Sequence, residues 1–73
     1  MNNTEIIAEF LESHRATKNV TKYRIAIDLE IDQTYLGRVF AGKYDLNTIT
    51  FLRICKYLSV SKSDMLDLLS KIK

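Results

Sequence analysis

The chain of 73 residues predicts an all-α domain, a small bundle of five short helices. Three observations lead there. Pro is absent and only Gly37 and Gly42 offer unusual backbone angles, so the punctuation that a sheet protein needs is missing. Apolar residues recur at helical spacing in each segment of the chain. One local signature, a capping residue with an apolar neighbour before it and another four positions after it, also occurs four times.

The first helix is carried by Ile6, Ile7, Phe10 and Leu11, with Asn3 or Thr4 as its expected cap. Glu5 falls in its first turn, where the helix dipole favours a carboxylate. Four hydrophobic staples then mark four further helix starts: Val20–Thr21–Ile25, Ile31–Asp32–Leu36, Leu46–Asn47–Phe51 and Val60–Ser61–Met65. Ile25, Ala26 and Leu29 share a face of the second helix, which starts near Lys22. Leu36, Val39 and Phe40 share one of the third; Phe51, Ile54, Cys55 and Leu58 of the fourth; Met65, Leu68, Leu69 and Ile72 of the fifth. Ser61 with Asp64 three residues later approaches a capping box, with Asp where Glu is usual. No linker, repeat or low-complexity tract interrupts this order, so residues 1–73 read as one domain.

A chain of this size buries only about 60% of the surface its unfolded state exposes, so the core is thin. Hydrophobic residues make up 47% of it, enough to pack without metal or disulfide. The single Cys55 has no internal disulfide partner and reads as a core residue. His14 is the only histidine and receives no role. No metal cluster, nucleotide-binding glycine loop or acid–base pair appears, so neither catalysis nor a cofactor is expected, and no small-molecule ligand is evident. No apolar run approaches the roughly 20 residues of a membrane helix, and no leader pattern opens the chain. The expectation is a cytoplasmic protein.

The net charge of +2 identifies no partner, but its distribution is uneven. Residues 1–17 carry a net −2, and residues 18–44 and 45–73 a net +2 each. The middle segment can therefore present Lys18, Lys22, Arg24, Arg38 and Lys43 to phosphates while the first helix stays acidic. Spacing points the same way. The second helix ends near Leu29 and the third begins after Asp32, so the two must cross steeply and expose the start of the third on a convex surface. That geometry suits the DNA major groove, about 12 Å wide.

The stretch from Ala26 to Lys43 (Ala-Ile-Asp-Leu-Glu-Ile-Asp-Gln-Thr-Tyr-Leu-Gly-Arg-Val-Phe-Ala-Gly-Lys) resembles the helix-turn-helix of the Cro/lambda-repressor-like, or Xre-type, regulators. Residues Phe51 to Ser61 are similar to that family's fourth helix and its exit, and Arg15 stands where the family often has a late helix-one arginine. The resemblance implies a five-helix lambda-repressor-like domain with its helix-turn-helix at about 21–41. It also implies a sequence-specific regulator, a repressor that binds a short palindromic operator in double-stranded DNA as a homodimer of phage or mobile-element type. Three positions depart from the pattern. Glu30 replaces the turn glycine, Phe40 the glutamate that pairs with the arginine, and Ser59 the glycine ending helix four.

On this resemblance Gln33, Thr34 and Arg38 are the base-contacting residues. Gln bonds adenine N6 and N7, Thr touches a thymine methyl and Arg forks onto guanine O6 and N7. Phosphate contacts are expected from Thr21, Lys22, Lys43, Tyr44 and Asn47, and from Tyr35, which otherwise reaches a base methyl or leans on Lys22. Gly37 sits inside the third helix for one of two reasons, close approach to DNA or close packing on a neighbouring helix. The stripe Met65, Leu68, Leu69 and Ile72 either closes the core or forms a dimer interface. The competing function is a helix-turn-helix module that binds a protein, such as an antitoxin or anti-regulator.

Overall fold

Each helix opens on a side chain that replaces a missing carbonyl acceptor. In the computed structural model, which describes residues 1–73, the helices are α1 (Asn3–Lys18), α2 (Lys22–Leu29), α3 (Gln33–Phe40), α4 (Thr48–Tyr57) and α5 (Lys62–Lys71). Thr21, Asp32, Asn47 and Ser61 cap α2 to α5, each accepting from the amide three residues on. The cap of α1 is neither Asn3 nor Thr4 but Asn2. Its side chain accepts from the Glu5 amide at 2.8 Å, and Glu5 accepts the Asn2 amide at 3.0 Å. Only Asn2 has a glutamate at the spacing such a reciprocal box requires; Asn3 and Thr4 have isoleucines there. Freed from capping, Asn3 pairs with the Lys73 backbone, and the Thr4 hydroxyl donates to the Asp45 carboxylate.

The exits of α1 to α4 are also alike. A left-handed residue follows each helix, namely Asn19 (φ 55°), Glu30 (φ 56°), Gly42 (φ 78°) and Ser59 (φ 55°). Its amide and the next one turn back to the last carbonyls, as Glu30 does to Ile27 (3.2 Å) and Ile31 to Ala26 (2.9 Å). Three connections are therefore the same three-residue turn: Asn19–Val20–Thr21, Glu30–Ile31–Asp32 and Ser59–Val60–Ser61. Each consists of a left-handed residue, an apolar residue and a cap. The middle residue serves both helices, and Val20, Ile31 and Val60 all pack half-buried on the core. The departure at Glu30 noted in the sequence is thus a backbone that favours glycine, occupied by glutamate.

Leu11, Ile25, Leu36 and Ile54, from four different helices, have no solvent exposure at all. Ala26, Val39, Phe40, Cys55 and Leu58 complete the central cluster, and no polar side chain is buried. In this arrangement α3 packs against both α1 and α2, α2 against α4, and α1 against α5.

Charged side chains tie the helices at their ends. With Phe40 in the core, Arg15 pairs with Glu12 on its own helix and donates to the Val20 carbonyl at 2.7 Å. The Arg15 hydrogen bond holds the Glu12 carboxyl below its ordinary value. His14 places Nδ1 2.9 Å from the Phe10 carbonyl and Nε2 3.0 Å from the Asp64 carboxylate, joining α1 to the start of α5. That bond is the main cause of a lowered Asp64 pKa. Arg53 donates to the Leu29 carbonyl at 2.7 Å, closing the end of α2 from α4.

Replacing Glu30 by glycine should relieve the left-handed strain. Glu30→Gly is expected to raise stability by up to about 1 kcal/mol, less than the full strain because glycine loses more entropy on folding. A denaturant midpoint that stays put or falls would contradict this geometry. Asn19→Gly should gain less, since asparagine tolerates the left-handed region.

Candidate nucleic-acid interface

The eight residues of α3 divide cleanly. Leu36, Val39 and Phe40 are 0%, 2% and 6% exposed. At 100° per residue Thr34 and Arg38 lie opposite this buried stripe, with Ala41 just past the helix end, while Gln33 and Gly37 flank the stripe on the Phe40 side. Gln33, Thr34 and Arg38 are all exposed, so the three residues expected to touch bases lie on the broad solvent face that runs from Gln33 round to Arg38. The short Glu30–Ile31–Asp32 turn sets that face. Ile31 anchors the turn on the core, and Asp32 receives the Tyr35 amide at 2.8 Å.

Gly37 lies on this face, and its two sequence explanations now separate. A Cβ built there meets nothing within 4 Å, so close helix packing is not its reason. The space its side chain would fill is open solvent. Gly42, by contrast, combines a φ of 78° with Ala8 and Glu5 about 3.6 Å from any Cβ. It ends α3 and sends the chain into the 43–47 loop.

That loop returns to α3. Arg38 Nη1 donates to the Tyr44 hydroxyl at 2.8 Å, and the guanidinium carbon lies 5.3 Å from the Tyr44 ring centroid. The Tyr44 and Tyr35 rings are tilted with centroids 6.3 Å apart. The Tyr35 hydroxyl donates to the Asp45 carbonyl at 3.2 Å, and the Asp45 carboxylate accepts from Thr4. Arg38, Tyr44 and Tyr35 are therefore brought into one cluster, with Tyr35 half-buried and its hydroxyl directed to the loop.

The remaining expected phosphate contacts sit at the edges of this surface. Lys22 and Lys43 belong to none of the three ion pairs, which are His14–Asp64, Arg15–Glu12 and Arg24–Asp28. Both lysines are exposed. Thr21 and Asn47 are exposed, with their acceptor oxygens used as caps for the Arg24 and Thr50 amides. Their hydroxyl and amide protons remain as donors. Sequence reading missed the roles of Thr4 and Asp45 and the pairing of Arg38 with Tyr44. Six residues separate that pair, a spacing no helix brings together; the reversal at Gly42 does.

The fifth helix corrects one expectation. Leu68 is 4% exposed and belongs to the core, whereas Leu69 is 65% exposed. Met65 and Ile72 are half-buried, and Leu66, absent from the expected stripe, is 66% exposed. Rotation by 100° per residue carries Leu69 and then Leu66 away from the buried line through Leu68. The surface available to a partner is thus Leu66 and Leu69, and Leu68 has little area left to offer one.

Burial pushes the Cys55 thiol up to about 11, so it stays neutral in the core. No group of three or more His, Cys, Asp or Glu is placed to hold a metal. The largest concavity, about 540 Å³, is an open groove between α1 and α5 that includes none of the α3 residues. No helix is long and apolar enough to cross a membrane. No family model, curated protein or solved structure matches the chain.

Because the Gly37 site is open, Gly37→Ala should stabilise α3 by about 1 kcal/mol, the ordinary helix-propensity gain. Thermal or denaturant unfolding measures it. A fall in stability would show that the backbone there is needed for packing after all.

Proposed function

We propose that this chain is a sequence-specific DNA-binding regulator of the helix-turn-helix kind, with α3 entering the major groove. The observation that carries the reading is the solvent face of α3, where Gln33, Thr34 and Arg38 are all exposed and the Gly37 position between them is open. All three side chains have donors or acceptors that match base edges, and the open Gly37 position lets the helix axis approach without a Cβ in the way. Exposed Lys22 and Lys43, free of ion pairs, supply the phosphate attraction, with Thr21, Asn47 and Tyr44 as neutral donors. The resemblance of Ala26–Lys43 to Xre-type regulators supports the same role, and the mode of action proposed is repression by occupying a promoter.

An eight-residue helix is only about 12 Å long and spans few base pairs. Two copies related by a two-fold axis double the sequence read, and the exposed Leu66 and Leu69 provide a self-complementary patch for them. The proposed assembly is therefore a homodimer on a palindromic operator. Leu69→Asp is expected to leave the fold intact, because the side chain is mostly outside the core, and to convert a dimer into a monomer with much weaker palindrome binding. Sedimentation of the unmutated protein as a monomer, with and without DNA, would remove the dimer from the proposal.

Two further variants test the recognition surface after sites have been selected from random duplexes. Arg38→Ala should cost about 1–3 kcal/mol on the selected site and relax preference at one symmetric pair of positions. Lys43→Ala should weaken all duplexes alike and flatten the salt dependence by about one unit for each phosphate the lysine neutralises. Equal losses on selected and random DNA for both variants would reject α3 as the reader. If neither changes DNA binding, a protein partner takes the place of DNA.

A further inference from the structure

We propose that Tyr44 is a positioning residue that holds the Arg38 guanidinium ready for a guanine edge. The inference rests on the DNA-binding reading above and names a determinant of its specificity. An exposed arginine ordinarily samples many rotamers, and ordering it on a base costs side-chain entropy. Here the side chain is held from two directions. The Tyr44 hydroxyl accepts from Nη1 at 2.8 Å, and the Tyr44 ring lies within cation–π range of the guanidinium carbon, at 5.3 Å.

Tyr44 can hold Arg38 only because the loop holds Tyr44. On its amino-terminal side, the Lys43 amide bonds back to the Arg38 carbonyl at 3.0 Å. On its carboxy-terminal side, Asp45 is gripped twice, by the Tyr35 hydroxyl and by the Thr4 hydroxyl of α1. The Tyr35 ring braces the Tyr44 ring at 6.3 Å. A guanidinium has five N–H donors, the Tyr44 bond uses one, and a fork onto guanine O6 and N7 uses two. Holding and reading are therefore compatible.

A double-mutant cycle tests this, with selected and random duplexes in competition. Tyr44→Leu should lower the preference for the selected site about 3–10-fold, the size of one ordinary exposed hydrogen bond. In an Arg38→Ala background the same change should have less than about a twofold effect. Tyr44→Phe, which keeps the ring and removes only the acceptor, should fall between and guards against loss of fold. Replacing the contacted guanine by 7-deazaguanine should weaken the unmutated protein but not Arg38→Ala. Equal losses of preference from Tyr44→Leu in both backgrounds would overturn the proposal and make Tyr44 a specificity determinant independent of Arg38. Equal weakening of selected and random duplexes, with preference unchanged, would also overturn it and leave Tyr44 a phosphate contact. A DNA-free measurement stands beside the cycle: NMR order of the Arg38 Nε–Hε group, expected to be high in the free protein and to collapse in Tyr44→Leu. Equal mobility in the two overturns the proposal whatever the DNA result. If the unmutated protein selects no sequence, the DNA reading falls and the specificity role with it, while an ordered Arg38 would still report the Tyr44 interaction itself.

Discussion

A helix exit and the next helix entrance share one apolar residue, and the rest of the structure depends on that sharing. In the turn Glu30–Ile31–Asp32, the left-handed Glu30 lets two amides return to the carbonyls of Ala26 and Ile27. Ile31 then packs on the core, and Asp32 caps α3. The strain at a non-glycine left-handed residue is roughly 1–2 kcal/mol. Two backbone bonds at about 1 kcal/mol each and the burial of an isoleucine exceed it. The same solution at Asn19–Val20–Thr21 and Ser59–Val60–Ser61 allows five helices to join in 73 residues without proline and with few glycines.

The tightness of these turns has a chemical consequence. Connections of three residues leave almost no freedom in the crossing of α2 and α3, so burial of Leu36, Val39 and Phe40 compels Gln33, Thr34 and Arg38 outward. The longest connection is the one from α3 to α4, residues 41–47. It is also the one that comes back to touch the outward face, through Tyr44 on Arg38. A loop pinned at Asp45 by α1 thereby links the stability of the bundle to the order of a surface arginine.

Electrostatics follow the same division between framework and surface. Arg15 directs a donor to the Val20 carbonyl in the α1–α2 turn, and Arg53 one to the Leu29 carbonyl at the end of α2, where cations are favoured. Tyr57 donates to Asp28 at 2.6 Å, which raises its own pKa and seals the seam between α2 and α4. Asp64, at the position where a glutamate would complete a capping box, turns instead to His14 and fastens α5 to α1. Lys22 and Lys43 take part in none of these pairs, and Arg38 only in its interaction with Tyr44. Lys22, Lys43 and Arg38 are thus among the cations that the framework leaves without an ion pair, as are Lys18, Lys56, Lys62 and Lys71.

Local information in the sequence determined the helices. Thr21, Asp32, Asn47 and Ser61 announce their own helix starts because caps and staples act within five residues, and the 3.6-residue period marks each buried face. The turn position of Glu30 and the assignment of Gln33, Thr34 and Arg38 came instead from the resemblance to the Xre-type pattern, which puts a glycine at the turn. What only the tertiary structure decided involves residues far apart or near an edge. The cap of α1 is not of that kind: Asn2 is as local as the others and marked by Glu5 three residues on, a signal that the expectation of Asn3 or Thr4 missed. His14 had no reading until α5 brought Asp64 beside it, 50 residues on. Gly37 was ambiguous until the space around it was found open. Periodicity grouped Met65, Leu68, Leu69 and Ile72, but how far α5 rolls onto the core is set by its packing against α1. That roll buries Leu68 and leaves Leu69 with Leu66 in solvent, a difference of one helical step that no local pattern encodes.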